Sequence, residues 1–81
     1  MKVQKAELYT WPTCPYCRRA KGLLDQLNIP YTDHNIWGQD DQKQALIEKT
    51  GQTTVPYVFL NDQFVGGCDD LFQIYESEGL E

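Results

Sequence analysis

Two cysteines three positions apart, Cys14 and Cys17, stand where an extended segment gives way to helical periodicity. From Pro15 onward Tyr16, Cys17, Ala20, Leu23, Leu24 and Leu27 recur at helical spacing, with Arg18, Arg19, Lys21, Asp25 and Gln26 on the other side. Pro15 suits the first helical position, because its missing N–H would have had no intrahelical partner and its φ is already helical. Asn28 and Pro30 mark the far end of this amphipathic helix. Upstream, Lys5 to Tyr9 reads as a short strand ended by Thr10, Trp11 and Pro12. The chain is therefore committed to a strand that runs into a helix, with Cys14 at the helix N-terminus.

The rest of the chain repeats short elements without a linker or a composition break. Tyr31 to Ile36 reads as a second strand, and a strand–helix–strand order requires a parallel pair with a right-handed crossover. Asp41 followed by Gln44 predicts a capping box that opens a helix through Ala45, Leu46 and Ile47 to a stop at Gly51. Tyr57 to Leu60, an Asn61-Asp62 turn and Gln63 to Val65 read as a β-hairpin. After Gly66-Gly67, Asp69 and Asp70 open a last helix that carries Leu71, Phe72 and Tyr75 on one face and stops at Gly79. The order β-α-β-α-β-β-α predicts an α/β fold. It is a four-stranded mixed sheet flanked on both faces by three helices, with the first strand central and the hairpin antiparallel to it.

With 81 residues, 41% of them hydrophobic, residues 1–81 are expected to form one domain with one compact core, which excludes a disordered chain. Seven basic against twelve acidic residues leave a net charge of −5, the wrong sign for a surface that tracks phosphates, so no nucleic-acid partner is expected. The longest apolar run, Val55 to Leu60, falls far short of the ~20 residues of a membrane span. The amino-terminal Lys2, Gln4, Lys5 and Glu7 lack the apolar stretch of a secretory signal, so a cytoplasmic monomer is expected.

A thiol at a helix entrance meets orphan N–H groups and the positive end of the macrodipole, both of which favour its anion. Only Cys14 receives this in full. Cys17 lies one turn further in, on the face that also carries Tyr16 and Ala20, and is expected to be more buried and less acidic. Cys14 is thus the expected attacking thiol and Cys17 the resolving one. A readily ionised sulfur also leaves more easily when a second thiol attacks it, which suits thiol exchange with turnover. Zinc wants four ligands and only Cys68 and His34 remain to supply them, so no metal is expected. A permanent Cys14–Cys17 disulfide would close too short a loop to stabilise the fold much. Cys68 reads as a small buried residue, His34 as an ordinary surface or core histidine, and Trp37 and Phe72 as packing residues.

Three blocks, Cys14-Pro15-Tyr16-Cys17, Thr54-Val55-Pro56 and Gly66-Gly67-Cys68-Asp69-Asp70, follow one another in an order and spacing that resemble the dithiol glutaredoxins, especially the small bacterial ones. The resemblance covers essentially the whole chain. It implies a thioredoxin-like fold, a glutathione-disulfide oxidoreductase, and glutathione as co-substrate. The implied partners are glutathione and glutathionylated or disulfide-containing proteins. It also implies a glutathione groove made by Tyr16, Thr54, Val55, Pro56, Gly67, Cys68, Asp69 and Asp70. In that groove a cis Val55–Pro56 bond sets the Val55 backbone to pair with a cysteinyl peptide, and the helix start after Gly66 and Gly67 meets the γ-glutamyl carboxylate. Asp69 or Asp70 then holds the ammonium, while Arg18, Arg19 and Lys21 either steer the anionic tripeptide or form a solvated helix face. Two other implied functions stand beside this one. They are a dimeric [2Fe–2S] carrier ligated by Cys14 and glutathione, and a thioredoxin-reductase-dependent donor to ribonucleotide reductase. One departure is Trp11, where many relatives have lysine; an aromatic there is expected to cover the disulfide or offer an apolar surface to a protein substrate.

Overall fold

The first strand, β1 (Ala6–Thr10), alternates buried Ala6, Leu8 and Thr10 with half-buried Glu7 and Tyr9, so each of its faces has a different layer to meet. The computed structural model describes residues 2–80, so the outermost residue at each end of the expected 1–81 domain lies outside it. It continues with α1 (Pro15–Gln26), β2 (Thr32–Asn35), α2 (Asp40–Thr50), β3 (Tyr57–Leu60), β4 (Gln63–Gly66) and α3 (Cys68–Ser77). The sheet order is β2-β1-β3-β4, with β1 parallel to β2 and antiparallel to β3, and β3 antiparallel to β4. The expected element order, mixed sheet and central first strand are all present.

All four residues of β3 are buried because both of its faces are covered. On one side Leu8, Val58 and Leu60 of the sheet pack with Ala20, Leu23 and Leu24 of α1 and Leu71 of α3. On the other, Tyr57 and Phe59 pack with Leu46 of α2 and with Ile36 in the turn that precedes it. Removing a fully buried side chain such as Leu24 from water contributes about 2 kcal/mol.

The structure departs from the expected boundaries in ways that local chemistry explains. β1 runs one residue further than Lys5 to Tyr9, because Thr10 pairs with Asn35 and its buried hydroxyl donates to the Asp33 carboxylate. The capping box at Asp41 is not formed. Helix α2 begins at Asp40, and Gln39 at its cap makes no side-chain capping bond. A turn closed by Gln39 N–H to the Ile36 carbonyl, 3.0 Å, delivers the chain into the helix early and leaves Asp40 and Asp41 as first-turn charges facing the dipole. The hairpin turn forms at Asn61 and Asp62, both with positive φ, as a two-residue primed turn requires. Asn61 also ties the turn to the amino-terminal segment. Its Oδ1 accepts the Gln4 and Lys5 N–H groups at 2.7 and 3.1 Å, and its amide donates to the Lys2 carbonyl at 2.8 Å.

Trp37, expected to pack, is 61% exposed. Its backbone N–H is tied to Asn35 Oδ1 at 2.9 Å, in the turn after β2, and its ring makes an edge contact with the Trp11 ring. Phe72 does pack, half-buried against the α1 side of the core, with the Arg19 guanidinium 5.4 Å from its ring centre.

Two carboxylates tie the strands together. Glu7 accepts hydrogen bonds from His34, 2.9 Å, and Lys5, 3.2 Å, which outweigh its burial and hold its carboxyl below the ordinary value. Burial pushes Asp33 up, but the Thr10 and Lys21 hydrogen bonds prevail and its carboxyl too is lowered. A carboxyl whose folded pKa lies below its unfolded one contributes stability above the unfolded value and loses it as pH falls through the folded one. The melting temperature is therefore expected to fall once pH drops below about 4. Glu7→Gln should melt below wild type at pH 7, and the two curves should converge in acid, a difference that thermal melts across pH measure directly.

Candidate active site

Cys14 caps α1 in an extended conformation, φ −122° and ψ 110°, with Pro15 at the first helical position as its sequence predicts. Its Sγ accepts the Cys17 N–H at 3.1 Å, and its carbonyl accepts the Arg18 N–H at 3.1 Å. A donor aimed at sulfur is worth more to a charged acceptor than to a neutral one. Cys14 keeps 7% of its surface exposed, whereas Cys17 is fully buried. Desolvation first, then its hydrogen bond to Cys14, push its thiol up to about 12, against a smaller opposing pull from the Trp11 backbone. All three cysteines are free thiols.

Cys14 lies in a cleft of about 550 Å³, within the roughly 300–1,000 Å³ range of small-molecule sites. Tyr16, Thr54, Val55, Pro56, Gly67, Cys68, Asp69 and Asp70 all line it, so three segments far apart in sequence meet around one sulfur. Cys17 does not line it and lies behind Cys14 in the helix. Tyr16 is on the cleft but not on the buried stripe of α1 where its spacing put it: it is 54% exposed, and the buried stripe starts at Cys17. Successive residues point about 100° apart around a helix, enough to turn Tyr16 out to the cleft.

The Val55–Pro56 peptide is cis, as expected. The segment around it is clamped by Gln52, whose Nε2 donates to the carbonyls of Thr54 and Pro56 at 2.7 and 2.9 Å while its own carbonyl accepts the Tyr57 hydroxyl at 2.7 Å. Gln52, Thr13 and Thr53 also line the cleft and were not foreseen. The one available signal was an amide side chain directly after the Gly51 helix stop and before Thr-Thr-Val-Pro.

At the α3 entrance the two acids part company. Asp70 Oδ2 accepts the Gly67 N–H at 3.0 Å, the reciprocal half of a capping box, and is thereby occupied. Asp69 is exposed on the cleft. Cys68 is 4% exposed, and burial foremost raises its thiol, which fits a small wall residue. At Gly67 a Cβ would meet the Pro56 carbonyl oxygen at an ordinary 3.6 Å, so the space there does not demand glycine. Among the described residues no group of three or more His, Cys, Asp or Glu side chains is placed to hold a metal, and no helix is long and apolar enough to cross a membrane.

The glutaredoxin family model matches residues 6–65. The chain belongs to the glutaredoxin family. Glutaredoxin 3 of Escherichia coli (strain K12) is 41% identical over 75 residues, covering 93% of this chain and 90% of that protein. The solution structure of a glutaredoxin from Brucella melitensis superposes with a TM-score of 0.81 at 32% identity, covering 94% of this chain and 83% of that one. A buckwheat glutaredoxin–glutathione complex superposes with a TM-score of 0.85 at 34% identity, covering 88% and 67%. As a glutaredoxin, this chain has the thioredoxin fold and is a thiol–disulfide oxidoreductase, and its Cys14–Cys17 pair fits a redox-active centre.

Proposed function

We propose that this glutaredoxin uses glutathione to reduce protein–glutathione mixed disulfides and protein disulfides in the cytoplasm, as a monomer without a resident metal. The observation that carries the reading is the Cys14 sulfur, fed by the Cys17 N–H, in the same cleft as Val55 and the α3 entrance. The Cys14 thiolate attacks the glutathionyl sulfur of a mixed disulfide. A Cys14–glutathione disulfide forms, the protein–glutathione bond breaks, and the protein thiolate leaves. A second glutathione thiolate then attacks this disulfide, releasing oxidised glutathione and restoring Cys14. With a protein disulfide, the Cys14 thiolate attacks one protein sulfur, which breaks the disulfide and releases the other sulfur as a thiolate. The Cys17 thiolate then attacks Cys14, forming Cys14–Cys17 and releasing the first protein sulfur, and two glutathiones reduce Cys14–Cys17 to two thiols while becoming oxidised glutathione.

The cleft suggests how the tripeptide is held. Its cysteinyl backbone pairs with Val55, and its γ-glutamyl carboxylate meets the N–H groups opening α3. Asp69 takes the ammonium, because Asp70 is engaged with Gly67. The buckwheat complex, a relative with glutathione bound, supports this reading.

Steady-state assays with the mixed disulfide of glutathione and mercaptoethanol test it. Turnover is expected to saturate in that substrate and to need glutathione, with thioredoxin reductase unable to replace it. Asp69→Asn should raise KM about tenfold, the size of a lost charge-assisted hydrogen bond. Equal reduction by thioredoxin reductase would overturn the proposal.

A further inference from the structure

Resting on the glutathione reading above, we propose that Trp11 and Trp37 form a docking subsite for an apolar side chain next to the target cysteine of a protein client. Trp11 lines the Cys14 cleft and also a second cavity of about 330 Å³, whose other walls include Ile36, Trp37 and Lys43. The two cavities therefore share a wall, and a chain leaving the first passes over Trp11 into the second.

The second cavity is built rather than accidental. Trp37 stands 61% exposed, and leaving so large an apolar surface in water is unfavourable unless something covers it. Yet its backbone is held: its N–H donates to Asn35, the turn is closed from Gln39 to Ile36, and Gly38, at φ 76°, makes the bend. The indole meets Trp11 edge-on, with ring centres 5.2 Å apart and planes at 83°. Lys43 Nζ sits 4.8 Å from the centre of the Trp11 ring, and Asp40 also lines the cavity. An aromatic floor beside charged side chains is the composition of a protein-binding hot spot.

The occupant follows from the chemistry of the exchange. When Cys14 attacks a glutathionylated protein, the tripeptide takes the cleft by Val55 and α3, so the departing protein thiol and its flanking residues lie outside. Trp11 borders both the Cys14 cleft and the second cavity, so the residues flanking the client cysteine are the ones placed to cross it. A leucine or phenylalanine there gains contact with two indoles, whereas glutathione itself offers no such group. Trp11 and Trp37 thus act on client choice and leave the exchange step to Cys14.

The test compares glutathionylated hexapeptides that differ only in whether phenylalanine or serine flanks the cysteine, with the glutathione–mercaptoethanol disulfide as a substrate lacking any flank. Wild type is expected to show kcat/KM about tenfold higher for the phenylalanine peptides, the usual discrimination of one apolar pocket. Trp37→Ala should reduce that ratio to near one with the small substrate unchanged, and Trp37→Phe should retain most of it. A wild-type ratio near one, or a ratio that survives Trp37→Ala, overturns the proposal. So does sedimentation showing that this face instead joins two copies of the chain in a dimer that Trp37→Ala dissolves. Absence of turnover with the small disulfide would overturn the glutathione reading itself, and this subsite with it.

Discussion

Cys14→Ser is expected to eliminate glutathione-dependent turnover, by roughly three orders of magnitude or more, whereas Cys17→Ser should keep reducing glutathione mixed disulfides and lose only protein disulfides. The asymmetry comes from where α1 puts the two sulfurs. Cys14 lies on the cleft with the Cys17 N–H aimed at it; Cys17 is fully buried behind it, its thiol pushed up to about 12. A thiol held that high has almost no thiolate at neutral pH, so it does not compete for the first attack. After burial, part of what holds it high is the hydrogen bond to Cys14. Once the Cys14 sulfur is bound in a mixed disulfide that hydrogen bond is weakened, and Cys17 becomes easier to ionise at the moment it is needed. Closure of Cys14–Cys17 should therefore speed up with rising pH across the neutral range. Mass spectrometry after one equivalent of iodoacetamide offers an independent check: the label should fall on Cys14 and leave Cys17 free. Labelling of Cys17 first, or full activity of Cys14→Ser, would reverse the assignment of roles.

The segments readable in advance were those in which several local signals agree. Pro15 at the first position and an apolar stripe behind it fix α1 and put Cys14 at its cap. Asn61-Asp62 between apolar runs fixes the hairpin, even though Asn-Gly is the stronger turn signal, because Asn61 gains three further bonds to the amino-terminal segment. What could not be read was set by contacts between segments remote in sequence. Nothing near Gln52 announces that its amide will span two carbonyls across the cis proline. Asp69 and Asp70 look alike in sequence and both stand exposed on the cleft, and only the turn at Gly66-Gly67 brings a backbone N–H to Asp70 and leaves Asp69 without that bond. Periodicity alone places Tyr16 on the apolar face of α1, although the family resemblance puts it on the groove, and size alone makes Trp37 a packing residue; neither says whether a core lies opposite. Both are among the most exposed large side chains of the described chain; Tyr16 borders the Cys14 cleft, and Trp37 borders the cavity that shares Trp11 with it.

Gly66→Ala should cost about 3 kcal/mol or more, weakening glutathione binding along with stability. Two constraints coincide at this residue. Its φ of 124° lies where side chains are strongly disfavoured, and a Cβ would overlap the carboxylate of Asp70, with the Asp70 Cβ only 2.7 Å away. The carboxylate cannot simply swing aside, because it holds the Gly67 N–H and so sets the first turn of α3. Displacing it would move the N–H groups proposed to bind the γ-glutamyl carboxylate, so loss of stability and loss of affinity have one cause. The two contributions separate in double variants. Asp70→Ala added to Gly66→Ala removes the carboxylate but keeps the Cβ at that position, so it should recover only part of the lost melting temperature. Asp70→Gly removes the overlap with the Asp70 side chain yet leaves the backbone of residue 66 unfavourable for alanine, and should recover more without reaching wild type. Gly67→Ala provides the contrast: its added Cβ meets the Pro56 oxygen at an ordinary 3.6 Å and its φ is negative, so it should melt well above Gly66→Ala. Equal melting temperatures for Gly66→Ala and Gly67→Ala would mean that the cleft's third wall is not held by the Gly66 turn.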